Sequence, residues 1–197
     1  MYVKETQYDN YYVVPEPYDE VISKWLDEKV YVYNNYYGNE FSSIMEQIRK
    51  CVVEHKVDLI ILDNMMALNL MEMGSDKYQQ QSHFCGMSGE FCKGSKCPHP
   101  VCGASPGSLL GFLRLDDVSG SNDIVNRVDN AFILHRVNND FKRLTKDMFK
   151  WKDDNLLYQS TNVIEICKDR DGGVQDEFIP LFFEACTKRL RNSPGGE

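Results

Sequence analysis

Seven residues, Val57-Asp58-Leu59-Ile60-Ile61-Leu62-Asp63, restrict the choice of fold more than any other stretch of this chain. Apolar side chains fall on both faces of the segment if it is extended, so both faces must be covered. That is the situation of a strand inside a parallel sheet, and it ends here in an acid. Just upstream, Phe41, Ile44, Met45, Ile48, Cys51 and Val52 recur at helical spacing over 41–55, with Asn39 placed as an N-cap. A short β-prone run, Val30 to Tyr33, precedes them, and Pro15 and Pro17 limit regular structure before it.

Downstream, Lys77 to Lys93 reads as a helix weakened by Gly86 and Gly89. Val101 to Ala104 is a weak strand between prolines. The stretch from Ser105 to Ser121 reads as a loop, and Asn122 to Val128 as a short helix. Three β-prone runs follow, Ala131–Arg136, Val163–Lys168 and Phe178–Phe183, with helical potential from Phe141 to Lys152. This order predicts an α/β fold whose sheet is mostly parallel at first and finishes in antiparallel strands. The tail from Asn192, with Pro194-Gly195-Gly196, is expected to fray, leaving residues 1–191 as the folded part.

At 197 residues the chain suffices for one domain with one core. No apolar run approaches the roughly 20 residues of a membrane span, and the polar N-terminus lacks a signal-peptide core, so a cytoplasmic address is expected. The formal net charge of −8 argues against nucleic-acid binding by bulk charge, though not against a small contacting loop. Seven cysteines, an odd and irregularly spaced set, read as free thiols.

Three features carry candidate chemistry. Asp63-Asn64 stands at the end of the apolar run, where open α/β sheets bind ligands and where an acid can hold magnesium. Lys168 and Arg170 lead into the turn Asp171-Gly172-Gly173 and fall on one side of an extended segment, a pair suited to an anion. The stretch Phe112 to Ile124, with Ser121 or Asn122 as N-cap, joins a loop to a helix start, whose backbone N–H groups can meet phosphate oxygens.

Three blocks in chain order, Val57 to Asn64, Leu115 to Ser121 running on to Val128-Asp129-Asn130, and Cys167 to Gly173, together resemble the RecA-like motor domain of DnaB-type replicative helicases. The flavour is that of the Twinkle and phage primase–helicase branch, and the likeness runs from about Val13 onward. The resemblance implies an ATP-driven translocase on single-stranded DNA, working as a hexameric ring, with a primase as a further partner. Asp63 would be the magnesium-positioning acid, with Asn64 and Ser105 beside the nucleotide. Lys168 and Arg170 would reach the ATP of a neighbouring subunit. The loop holding Arg114, Asp117, Val118 and Gly120 would touch DNA, and Met66 to Asp76 would form a second channel-facing loop.

Two departures qualify that expectation. No G-x-x-x-x-G-K-[ST] occurs in the sequence, so nothing in it cradles the β- and γ-phosphates. The chain thus reads as a motor domain incomplete at its N-terminus, inactive alone, with apolar sheet surface left uncovered. Where the family carries histidine, proline and a basic residue, this chain has Ser105-Pro106-Gly107, so the phosphate-sensing position lacks a cation. A degenerate, non-catalytic RecA-like domain is one alternative. A zinc-binding interaction module is another, built on Cys85, Cys92, Cys97, His99 and Cys102. That cluster holds no C-x-x-C pair, which disfavours zinc. His83 and His135 read as structural, and Trp25 and Trp151 as packing residues.

Overall fold

The computed structural model describes residues 14–27, 29–34, 40–63, 77–95, 112–115, 122–149 and 155–194. Among them are six helices, α1 (Glu16–Leu26), α2 (Phe41–Val53), α3 (Lys77–Ser95), α4 (Asn122–Arg127), α5 (Asn139–Phe149) and α6 (Leu156–Gln159). The four strands are β1 (Asn130–Arg136), β2 (Asn162–Asp169), β3 (Glu177–Glu184) and β4 (Arg189–Arg191). The fold is mixed α and β.

The sheet runs in the order β1-β2-β3-β4, and every neighbouring pair is antiparallel. The mostly parallel sheet expected from the sequence is not formed among the described residues. The run 57–63 forms no strand: it bends at Asp58 and Asp63 and contains only a single-residue bridge at Leu62. Its two faces differ. Ile60 and Leu62 pack against Ile44, Met45, Ile48 and Phe84 of α2 and α3, whereas Leu59 and Ile61 are exposed. A strand apolar on both faces is buried on both only when it lies inside a sheet, and no described strand lies beside this one. Val30 to Tyr33 is likewise exposed and forms no strand.

The prolines at 15 and 17 start α1 instead of preventing structure. Pro15 is the N-cap and Pro17 lies in the first turn, where the missing N–H has no helical partner to lose. No α1 residue is buried, and Trp25 is exposed, with the Lys29 ammonium over its ring; it is not the packing residue expected. α2 and α3 match their expected ranges closely, although α2 is preceded by Glu40 with no side-chain cap bond.

A second core joins Phe112, Phe141, Leu157 and Val163, with Leu144 and Phe178 packed against it. Helix α5 enters this core because Asn138 Oδ1 accepts from the Phe141 N–H at 2.8 Å, capping its first turn. Phe141 is thereby turned onto β2. The link between α3 and α4 is a third contact: Cys85 packs on Ile124, and Arg127 lies so close over Gly86 that a Cβ there would meet its guanidinium.

The β2–β3 connection is tied by Asp169. Its Oδ1 accepts from the Gly172 N–H at 3.0 Å and its carbonyl from the Gly173 N–H at 3.0 Å. Gly173 has φ 68°, a conformation that favours glycine. A Cβ on Gly172 would collide with the Asp169 carboxylate.

Candidate functional site

Strand β2 organises the described polar chemistry. Its sequence, Asn162-Val163-Ile164-Glu165-Ile166-Cys167-Lys168-Asp169, alternates faces. Val163, Glu165 and Cys167 point into the protein. Opposite β1 the register runs Phe132↔Ile166 and then Ala131↔Lys168, leaving Cys167 without a partner. Such a bulge re-aims the residues beside it. Here it stands immediately before the cationic pair.

Both cations turn to helix α4 of their own chain. Lys168 Nζ donates to the carbonyl of Val125 at 2.7 Å. Arg170 donates through one terminal nitrogen to Asp129 Oδ1 at 2.6 Å and through the other to the Asn126 carbonyl at 3.0 Å. The Arg170 N–H also donates to the Asp129 carbonyl at 3.0 Å. Positive groups suit the end of a helix, where carbonyls lack partners and the dipole is negative. Arg170 remains exposed and Lys168 half-buried, so neither is sealed in a core. Burial, and then the nearby Arg170 charge, push the Lys168 ammonium below its ordinary pKa, while Asp129 acts in the opposite sense.

A second cluster lies on the inner face of β2, and the sequence reading missed it. Glu165 is only 1% exposed. Its Oε1 accepts from Arg114 Nη1 at 2.8 Å, and its Oε2 lies 2.7 Å from His135 Nε2. Phe112 stacks on His135 with centroids 4.7 Å apart, and Phe141 packs against both rings, 5.5 Å from His135 and 5.7 Å from Phe112. Arg114 reaches Asp176 as well, at 3.5 Å. Asp176 lies in the β2–β3 connection with φ 55°. The signal was present in the sequence, in a glutamate at an inward position of an otherwise apolar strand. Cys167, beside this cluster, is held as a thiol, its pKa pushed up to about 12 by burial first and by the Glu165 charge second.

These contacts bracket the interval 116–121. Arg114 on one side of it is fastened to Glu165, and α4 on the other side is fastened to Lys168 and Arg170. One strand therefore holds the chain both before and after the block named in the sequence reading. Arg114, read there as a DNA contact, spends its guanidinium on Glu165 and Asp176 and is 38% exposed.

Asp63 is exposed, at a bend that ends the 57–63 run. Asn64, Ser105, Asp117, Val118 and Gly120 lie outside the described residues, as do Met66 to Asp76 and Trp151. Of the cysteine cluster, Cys85 is a buried free thiol packed on Ile124, with burial raising its pKa to about 11. Cys97, His99 and Cys102 lie outside the described residues. No group of three or more potential metal-binding side chains occurs among the described residues. No helix among them is long and apolar enough to cross a membrane.

Compared with protein-family models and with curated proteins, the chain matches none.

Proposed function

We propose that this chain is part of the RecA-like motor of an ATP-dependent replicative DNA helicase of the DnaB type, translocating on single-stranded DNA as a ring of subunits. The observation that carries the reading is the joining of two of its sequence blocks. The block from Leu115 to Asp129 and the block from Cys167 to Gly173 are far apart in sequence, yet Lys168 and Arg170 bind Val125, Asn126 and Asp129. A motor that couples a phosphate-facing cation pair to a DNA-facing segment needs a mechanical connection of this kind.

In this reading Asp63, exposed and carrying no described partner strand on either side, positions magnesium for its own subunit's nucleotide. Lys168 and Arg170 offer donor-only groups, which fit phosphate oxygens, to the nucleotide of the adjoining subunit. ATP supplies the phosphoryl group whose transfer drives movement. Arg170 supplies fixed positive charge where negative charge gathers in the transfer. By the resemblance, Asn64 and Ser105 belong to the nucleotide side of the motor and Asp117, Val118 and Gly120 to its DNA side, while Arg114 is fastened to Glu165. A primase is a further partner, and the cytoplasm is the place where such a motor works.

The 197 residues hold no phosphate-binding loop, so the pure chain is expected to give no turnover in a phosphate-release assay after nucleotide titration. Joined in one polypeptide to a segment carrying G-x-x-x-x-G-K-[ST], it is expected to release phosphate faster when single-stranded DNA is added. Robust turnover by the pure chain, or turnover in the joined protein indifferent to Asp63→Asn, would refute the proposal.

A further inference from the structure

We infer that Asp129 is a positioning residue for the Lys168–Arg170 pair, and that α4 and a phosphate-bearing anion compete for the same two side chains. The inference deepens the helicase reading, on which it rests only for the identity of the anion.

The geometry supplies the competition. Both terminal nitrogens of Arg170 are engaged, one by the Asp129 carboxylate and one by the Asn126 carbonyl. An end-on, two-point grip on a phosphate uses those same nitrogens. Lys168 points at the neighbouring carbonyl of Val125, so two of the pair's partners are consecutive carbonyls of α4 and the third, Asp129, follows two residues after the helix ends. An anion that takes the pair removes those partners from α4 together. The fit between helix and pair is also electrical, because Asp129 partly cancels the charge an anion would meet. By linkage, whatever loosens α4 strengthens anion capture, and anion capture loosens α4 to the same degree.

Among the described residues, Asp129 and the α4 carbonyls face the pair from one side. Asp169, which belongs to β2, is turned to the Gly172 N–H and so is engaged elsewhere. Arg127 of α4 lies over Gly86 on the α3 side. Asp129 is therefore the acid whose removal should change the pair without dismantling the sheet.

The test uses the full chain, inorganic pyrophosphate as the probe, and amide exchange read by NMR. In the unaltered protein, pyrophosphate should shift the resonances of residues 168–170 and speed exchange at 122–128. Arg170→Ala should abolish both responses. Asp129→Asn should speed exchange at 122–128 without any anion and lower the half-saturating pyrophosphate concentration about threefold, the scale of a partly exposed ion pair. Asp129→Glu should return both readings toward the original. Protection of the β1–β2 amides reports whether each variant is folded; if Asp129→Asn is not, the comparison with Arg170→Ala decides alone. Pyrophosphate that does not bind, that binds without affecting 122–128, or that binds Asp129→Asn no more tightly overturns the inference. Competition without DNA-stimulated turnover in the joined protein would sink only the helicase reading, and turnover without competition only the tether.

Discussion

A glutamate that is 1% exposed has to be satisfied by its own chain, because a buried carboxylate without partners is costly. Glu165 meets that demand with Arg114 and His135, one on each oxygen. Glu165→Ala removes the acceptor and leaves a buried ring nitrogen and a half-buried guanidinium facing a hole. We expect a loss of about 3 kcal/mol in urea unfolding, with Glu165→Gln losing less because an acceptor oxygen remains. A Glu165→Ala protein as stable as the original would show that the cluster contributes little. The cysteines separate in the same way, by surroundings. Cys186 is exposed, and Cys167 is buried with its pKa at about 12. Iodoacetamide at mildly alkaline pH should label Cys186 and spare Cys167, as read by peptide mass spectrometry. The raised Cys167 value has a stability consequence with a definite sign. Below about pH 9 the thiol is protonated in both folded and unfolded chains. Between there and about pH 12 the unfolded chain gives up a proton that the folded chain keeps, so stability should fall as pH rises through that window.

Among the elements, the β2–β3 connection depends on one unusual backbone position. Gly173→Ala places a Cβ at φ 68° and should cost about 1 kcal/mol, measurable by thermal unfolding. Elements with strong local signals were legible in the sequence. Helices α2 and α5 and strands β1, β2 and β3 follow their apolar periodicity to within a few residues, and α3 forms near its expected bounds in spite of Gly86 and Gly89. Elements whose character depends on neighbours were not. The 57–63 run has the composition of a two-faced buried strand, but a strand needs flanking strands to supply its hydrogen bonds, and no local pattern can report those. Helix α1 was missed for the opposite reason: two prolines that would break a helix in its middle stand at its start, where they are harmless. Of the candidate site, Lys168 and Arg170 were visible from their alternation before a glycine turn. Their attachment to α4 was not, because it depends on a bulge at Cys167. Glu165 was passed over, and His135, read as structural, was not joined to it, since pairing across strands is set by register and not by proximity in sequence.

At the scale of the molecule, the outer face of the sheet carries an apolar row. Leu134, Ile164 and Ile179 are register partners across three strands, and Phe132 stands beside Ile166. Phe132 is 60% exposed and Leu134 57%. Apolar surface of this kind promotes association, so the chain is expected to self-associate in sedimentation velocity as concentration rises. The double substitution Leu134→Lys and Ile179→Lys should hold it monomeric, and unchanged association would place the sticky surface elsewhere. In the proposed motor Asp63 serves its own subunit's nucleotide and Arg170 serves the neighbour's. Subunit mixing addresses this division directly, using the chain joined to a phosphate-loop segment. Asp63→Asn and Arg170→Ala proteins, each inactive alone in phosphate release, should recover DNA-stimulated turnover when mixed, because some interfaces then pair an intact Asp63 with an intact Arg170. A mixture of folded, co-assembled variants that stays inactive, or an Arg170→Ala protein that is fully active by itself, would contradict the account.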